Sequence, residues 1–209
     1  MNRIVIVDYG AGNVGSIQNM GRKAGGDLVI SGDPDQIARA DKLILPGVGA
    51  FDVGMGNLRS RGLEAPLNAA VIDRGVPILG ICLGAQLLTR RSEEGTSAGL
   101  GWIAADTLRF RFAPQDGRPA RTVPHMGWNF IEPTRPDRLL ENLPPEPRYY
   151  FVHTYHLACD DDRDVLTWTE YGIRFASSVQ RANIWGMQFH PEKSHKFGFA
   201  LLNNFIHRA

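Results

Sequence analysis

Apolar residues in the first hundred positions come in short unbroken runs, each closed by glycine or proline or running straight into one: RIVIVDYG at 3–10, DLVISG at 27–32, KLILPGVG at 42–49 and VPILGI at 76–81. These runs lack the strict alternation of a strand with one wet face, so both faces are expected to be buried, as in the central strands of a parallel sheet. Between the runs, apolar residues recur at helical spacing over about 15–24 and 55–73. Strand and helix in turn predict an α/β fold, an open and mostly parallel sheet with helices on both faces.

Beyond about residue 100 the pattern changes. LRFRF (108–112), NFIEP (129–133), RYYFVHTYHLA (148–158), VLTWTEYG (165–172) and FASSVQRANIWGMQFHP (175–191) are strand-length pieces parted by turn residues. They predict an antiparallel extension of the sheet, closed by a helix, KFGFALLNNFIHR, at 196–208. APQDGRP (113–119) and EPTRPDRLLENLPPEPR (132–148) are loop-rich, and neither reads as a domain linker. Residues 1–209 are therefore expected to form a single domain.

Charge adds little to this picture, because 23 Lys and Arg face 22 Asp and Glu, and no overall field favours nucleic acid or an anionic membrane surface. Two cysteines, Cys82 and Cys159, are too few for a secreted disulfide scaffold, and MNRIVIVDYG lacks the apolar core of a signal peptide. No stretch approaches the roughly 18–20 apolar residues of a membrane helix. A soluble, cytoplasmic protein is expected.

Cys82 is where the pattern meets chemistry. Gly80-x-Cys82-x-Gly84 ends a strand-like run and opens a helix-like one, the cysteine form of the nucleophile elbow, in which a strained turn exposes the nucleophile and glycines remove clashing side chains. A helix N-terminus directly after the thiol favours the thiolate. The plain alternative is a buried structural cysteine. A thiolate needs a base, and a base needs an orienting partner. GMQFHPEKS (186–194) supplies both, with His190 and Glu192 separated by one residue so that both side chains can lie on one side of an extended segment. LPGVGAF (45–51) ends a third strand, and its Gly47 and Gly49 free the backbone to turn N–H groups toward an oxyanion, together with the N–H of Leu83.

The cysteine elbow, PGVG and HPE, in that order, resemble the class I, triad-type glutamine amidotransferases, whose fold is flavodoxin-like. VDYGAGNVGS, LPGVGAF, GICLGAQLL, SEEG, GLGWI, VPHMGWN, YYFVHTY and QFHPEKS narrow the resemblance to the glutaminase subunits of imidazole glycerol phosphate synthases, over residues 7–194. The resemblance implies that Cys82 attacks the side-chain amide of glutamine, with His190 and Glu192 completing the triad. Val48 and Leu83 would supply the oxyanion N–H groups. Gly47, Gly49, Gln86 and the backbone of His153, Thr154 and Tyr155 would hold the substrate. Asn13, Met126, Trp128, Tyr150 and Lys193 fall where such subunits meet a (β/α)8 cyclase subunit as a heterodimer and pass ammonia to it for histidine biosynthesis. Peptide rotation in PGVG is the expected activity switch. His195, Phe197 and His156 depart from the pattern close to expected partner surfaces.

Three other readings stand beside this one. GAGNVG (10–15) fits a dinucleotide fingerprint, with Asp33 as its acidic residue, but would leave Cys82, PGVG and HPE without roles. A paralogous glutaminase could feed a sugar-amidating synthase in surface-polysaccharide biosynthesis, and a silent interaction subunit could keep the fold without the reaction. His125, His153 and His156 lack zinc-ligand spacing, and neither a metal nor a cofactor is expected.

Overall fold

A computed structural model describes residues 3–112 and 121–209, so the loop at 113–119 lies outside the described residues. The first half alternates β1 (Arg3–Val7), α1 (Val14–Lys23), β2 (Asp27–Ser31), α2 (Pro34–Ala38), β3 (Lys42–Gly47), α3 (Phe51–Ser60), α4 (Glu64–Asn68), β4 (Ile78–Cys82) and α5 (Leu83–Leu87). Its four strands pair in parallel in the order β2-β1-β3-β4. Alternate residues of each strand feed two cores. Val5, Val7, Leu43, Leu45 and Ile78 pack with Ile37, Met55 and Leu87 on one face, and Ile4, Ile6, Ile44, Leu79 and Ile81 pack with Ile17, Leu201 and Phe205 on the other. Burial on both faces is the physical reason the runs are apolar without a break.

The second half contributes β5 (Ala105–Arg109), β6 (His125–Phe130), β7 (Glu132–Pro133), β8 (Arg148–His153), β9 (Tyr155–Cys159), β10 (Val165–Glu170), β11 (Arg174–Arg181), β12 (Ile184–Met187) and α6 (His195–Arg208). The sheet runs on as β4-β12-β11-β10-β7, with β9 joining β11 to β5, while β6 and β8 form a separate two-stranded ribbon. The extension is antiparallel except at its first step: β12 lies parallel to β4, and the hairpin back to β11 reverses the direction. Among the described residues no helix is long and apolar enough to cross a membrane.

Local chemistry explains the other departures from the sequence pattern. The helix expected over 55–73 begins at Phe51 and breaks after Ser60, where Gly62 takes φ +67°, then resumes as α4 and a π turn at 69–73. The unassigned α2 is started by Asp33, whose carboxylate accepts from Asp35 N–H (2.9 Å), with Pro34 at the first helical position. The run 148–158 is divided at Thr154, so its first half belongs to the ribbon and its second to the main sheet. The strand expected at 108–112 lies instead at 105–109, where it pairs with β9, although Phe110 N–H still donates to the Thr154 carbonyl (3.1 Å).

Candidate active site

Cys82 ends β4 with φ +53°, a left-handed conformation that costs a residue with a β-carbon about 1–3 kcal/mol unless its surroundings impose it. The surroundings are close. Gly47 of β3 sits in register beside Cys82, and a β-carbon on Gly84 would overlap the Leu45 carbonyl oxygen. No other residue fits at position 84 without moving β3. The thiol itself is 8 % exposed, at the carboxyl edge of the sheet where such folds present ligand sites.

His190 follows β12, the strand beside β4, so parallel pairing brings it to the same edge. Its Nδ1–H donates to Glu192 Oε1 at 2.8 Å, and both side chains are almost fully buried. Its Nε2 has no hydrogen-bond partner, nor does Glu192 Oε2. Burial disfavours the imidazolium, but the ionised Cys82 sulfur and the Glu192 carboxylate together outweigh it and raise the His190 pKa to about 9. The backbone of His190 is tied to the ribbon: its N–H donates to the Tyr150 carbonyl (2.9 Å), and Tyr150 N–H donates to Ser194 Oγ (3.0 Å), whose hydroxyl donates to the His190 carbonyl (2.6 Å).

The loop after β3 is anchored at both ends. The buried Tyr9 hydroxyl donates to the Pro46 carbonyl (2.6 Å), and burial, with a lesser effect from Cys82, pushes its own pKa up. At the far end Phe51 N–H donates to Glu94 Oε2 (2.8 Å), which gives SEEG a role, and Asp52 accepts from Thr96 and Ser97 N–H groups. Those backbone bonds hold the Asp52 carboxyl below the usual range. Between the anchors Val48 is 48 % exposed and Gly49 takes φ +105°. Leu83, by contrast, is buried.

Two of the expected substrate residues meet directly. Gln86 Nε2 donates to the Tyr155 carbonyl (3.5 Å) and to Gln188 Oε1 (3.1 Å), and Gln188 Nε2 donates to Cys82 Sγ at 3.8 Å. Gln188 and Tyr9 escaped the sequence reading. Gln188 was detectable, since it lies two residues before His190 and so on the same side of an extended segment. His153 Nδ1–H donates to the Tyr155 carbonyl (2.7 Å), and the Thr154 carbonyl is taken by Phe110.

Of the expected partner-facing residues, three lie on the ribbon, and Lys193 reaches it from the turn after β12. Trp128 lies opposite Tyr150 in register, Met126 is exposed, and Lys193 Nζ sits 5.8 Å from the Tyr150 ring centre. Trp128 also stacks on His195, with ring centres 5.6 Å apart. Asn13 sits apart from them in sequence, at the start of α1, where its side chain accepts from Ser16 N–H (3.4 Å). The preceding GAGNVG loop packs on the end of β3, because a β-carbon on Gly12 would lie 2.9 Å from Pro46. Asp33 is occupied capping α2. Both elements of the dinucleotide fingerprint thus have structural employment.

A thiol on a strained strand-to-helix turn, beside a histidine–glutamate pair at the edge of a parallel sheet, is the arrangement of a cysteine-dependent amide hydrolase. The chain belongs to the class-I glutamine amidotransferase family, whose model matches residues 5–209. Among individual proteins it is similar to imidazole glycerol phosphate synthase subunit HisH 2 of Methanococcus maripaludis, with 50 % identity over 99 % of this chain and 100 % of that one. The subunit HisH of Salinibacter ruber is 48 % identical over 96 % of this chain and 92 % of its own length. In fold it resembles a chain of PurLQS from Thermotoga maritima, with a TM-score of 0.71 and 19 % identity over 98 % of each chain.

Proposed function

We propose that this protein is the glutaminase subunit of an imidazole glycerol phosphate synthase, hydrolysing glutamine to glutamate and ammonia and passing the ammonia to a partner subunit for histidine biosynthesis. The observation that carries the hydrolytic reading is the His190–Glu192 pair, buried and adjacent to the strained Cys82, with His190 Nε2 left without a partner. Near-full-length similarity to HisH subunits carries the pathway.

In this reading the Cys82 thiol gives its proton to His190 Nε2 and the sulfur attacks the side-chain carbonyl carbon of glutamine. The S–C bond forms while the C–N bond breaks, and His190 delivers its proton from Nε2 to the departing ammonia. Glu192 keeps the imidazole oriented through Nδ1–H, as the acid of a triad does. Water then gives a proton to His190 and attacks the thioester, the S–C bond breaks, and glutamate leaves with Cys82 restored. The N–H groups of Val48 and Leu83 serve the oxyanion, and Gly47, Gly49, Gln86 and the His153–Tyr155 backbone hold the substrate. Met126, Trp128, Tyr150, Lys193 and Asn13 face a (β/α)8 cyclase in a heterodimer. The site uses neither a metal nor a cofactor, and the protein works in the cytoplasm.

The test is a glutaminase assay with and without a histidine-pathway cyclase subunit and its nucleotide ligand. Strong activation by that cyclase is expected. Activation only by a nucleotide-sugar synthase would transfer the ammonia to the surface-polysaccharide route, and no turnover with any partner would leave an interaction subunit.

A further inference from the structure

Polar groups from the partly buried Asn129 to Cys82 form one chain in which every donor and acceptor is determined. Asn129 Oδ1 accepts from Phe130 N–H (2.8 Å), which fixes the amide so that Nδ2 donates to the Glu170 carbonyl (3.0 Å) and to His125 Nε2 (3.3 Å). With Nε2 accepting, neutral His125 carries its proton on Nδ1, which lies 3.0 Å from His153 Nε2. His153 Nδ1 faces the Tyr155 carbonyl at 2.7 Å, and a carbonyl only accepts, so His153 also holds its proton on Nδ1 and takes the His125 bond on Nε2. The same Tyr155 carbonyl accepts from Gln86, which also donates to Gln188, which donates to Cys82 Sγ.

The surroundings keep both histidines neutral. His125 is sandwiched between the Tyr171 and Phe151 rings, with centres 4.0 and 4.7 Å away, and Phe110 and Phe175 close over His153 at 5.2 and 5.3 Å. Burial lowers the pKa of His125 to about 4 and that of His153 to about 3; the Tyr155 bond opposes the latter shift, and His125, His156 and His190 add to it. His125 and Asn129 point inward from β6, the strand whose Met126 and Trp128 are exposed. The chain of bonds therefore runs from the inner face of the ribbon to the sulfur.

We propose that this chain of bonds holds the Tyr155 carbonyl and the Cys82 sulfur in place for glutamine hydrolysis, which makes Gln188 and His125 positioning residues; the proposal rests on Cys82 being the nucleophile. Gln188 N–H donation favours negative charge on the sulfur. Removing the His125 donor strands the buried acceptor on His153, which recovers a partner only by moving its proton or ring away from Tyr155. The titratable groups facing Cys82 are His190 and Tyr9, with Glu192 behind His190, and none of them changes in the variants below.

Imidazole nitrogen NMR on the full chain tests the wiring without any substitution. His125 and His153 are expected as Nδ1–H tautomers that stay neutral from about pH 5.5 to 8, although free imidazole side chains titrate in that range. A proton on Nε2 of either residue, or titration of either in that range, overturns the proposal. Alkylation of Cys82 by iodoacetamide, followed by peptide mass so that Cys159 is counted separately, tests the far end. Gln188→Met is expected to slow it about threefold at pH 7. An unchanged rate in a folded Gln188→Met protein overturns the proposal. With the cyclase bound, His125→Phe should raise KM for glutamine about tenfold and change kcat less than about twofold, and His125→Asn, which keeps a donor toward His153, should recover most of the loss. A fall in kcat alone, or no recovery, counts against it. Turnover surviving Cys82→Ala would instead remove the nucleophile, while the tautomer result would stand.

Discussion

Two strand-to-helix turns lie side by side at the carboxyl edge of the sheet and are built in opposite ways. The turn after β4 is filled: Leu83 is 2 % exposed, and Gly84 sits so close to Leu45 that no β-carbon fits. The turn after β3 is pinned only at its ends, by Tyr9 on Pro46 and by Glu94 on Phe51. At its centre Val48 is half exposed, and a β-carbon on Gly49 would meet open space. Packing therefore fixes the Cys82 turn, while the centre of the turn after β3 is open to solvent. In the proposed reading, where a cyclase subunit switches the reaction on, this division would hold the attacking atom before the charge-stabilising donors are set.

Breaking the filled turn should have the largest effects. Cys82→Ala in the cyclase-bound enzyme is expected to lower glutamine turnover by at least about ten-thousandfold, as loss of a nucleophile does, with cyclase binding retained. Turnover within about tenfold of the parent would put the chemistry elsewhere. Gly84→Ala should act on the fold, because its new methyl group meets backbone of β3. A loss of about 3 kcal/mol or more is expected in chemical denaturation. An ordinary unfolding midpoint for that variant would mean that β3 and β4 part easily, and the contrast between the turns would fail.

His190, beside the filled turn, adds a pH signature. The His190 pKa is raised to about 9, so its contribution to stability is complete below its unfolded value of about 6.5 and is lost as pH rises toward 9. The fall should be about 3 kcal/mol. His125 and His153 act with the opposite sign: their lowered values of about 4 and 3 mean that the unfolded chain binds more protons below about pH 6.5, so stability falls again on that side. Denaturation midpoints should therefore peak near pH 6.5. Glu192→Gln should shrink the alkaline limb without abolishing it, because Cys82 also raises the His190 value, leave the acid limb unchanged and slow glutamine turnover about a hundredfold. An alkaline limb untouched by Glu192→Gln would detach the raised value from this pair.

What could be read from the sequence follows the same division. The filled turn was legible because its constraints are local: a glycine two residues on either side of the cysteine, an apolar run before it and a helical pattern after it. His190 and Glu192 were legible as a pair because one residue separates them, although the segment is not extended throughout as expected: His190 caps a 3-10 turn at Pro191–Lys193 that carries Glu192. The anchors of the open turn were not, since Tyr9 and Glu94 reach Pro46 and Phe51 from other elements, and no spacing announces that. The role of GAGNVG was hidden for the same reason, as its glycine is explained by contact with Pro46 in three dimensions. The division of 148–158 at Thr154 was invisible because strand residues continue across it, and only the separate partners β6 and β5 reveal two strands.

The open turn should respond to conformation at one residue and to nothing at the next. Gly49→Ala places a β-carbon at φ +105°, which strains the backbone by about 1–3 kcal/mol without any clash. Because the loop can relieve that strain by turning, the expected cost is smaller in stability than in activity, with cyclase-stimulated turnover down about tenfold. Val48→Ala is the finer instrument. If Val48 acts through its N–H, its half-exposed side chain is dispensable, and truncation should change turnover less than about twofold and stability less than about 0.5 kcal/mol. Leu83→Ala removes a fully packed side chain from the position proposed to supply the other oxyanion N–H and should cost about 2–4 kcal/mol. Equal costs at the two positions would mean that the loop after β3 is packed as tightly as the elbow, and the openness assigned to it would have to be given up.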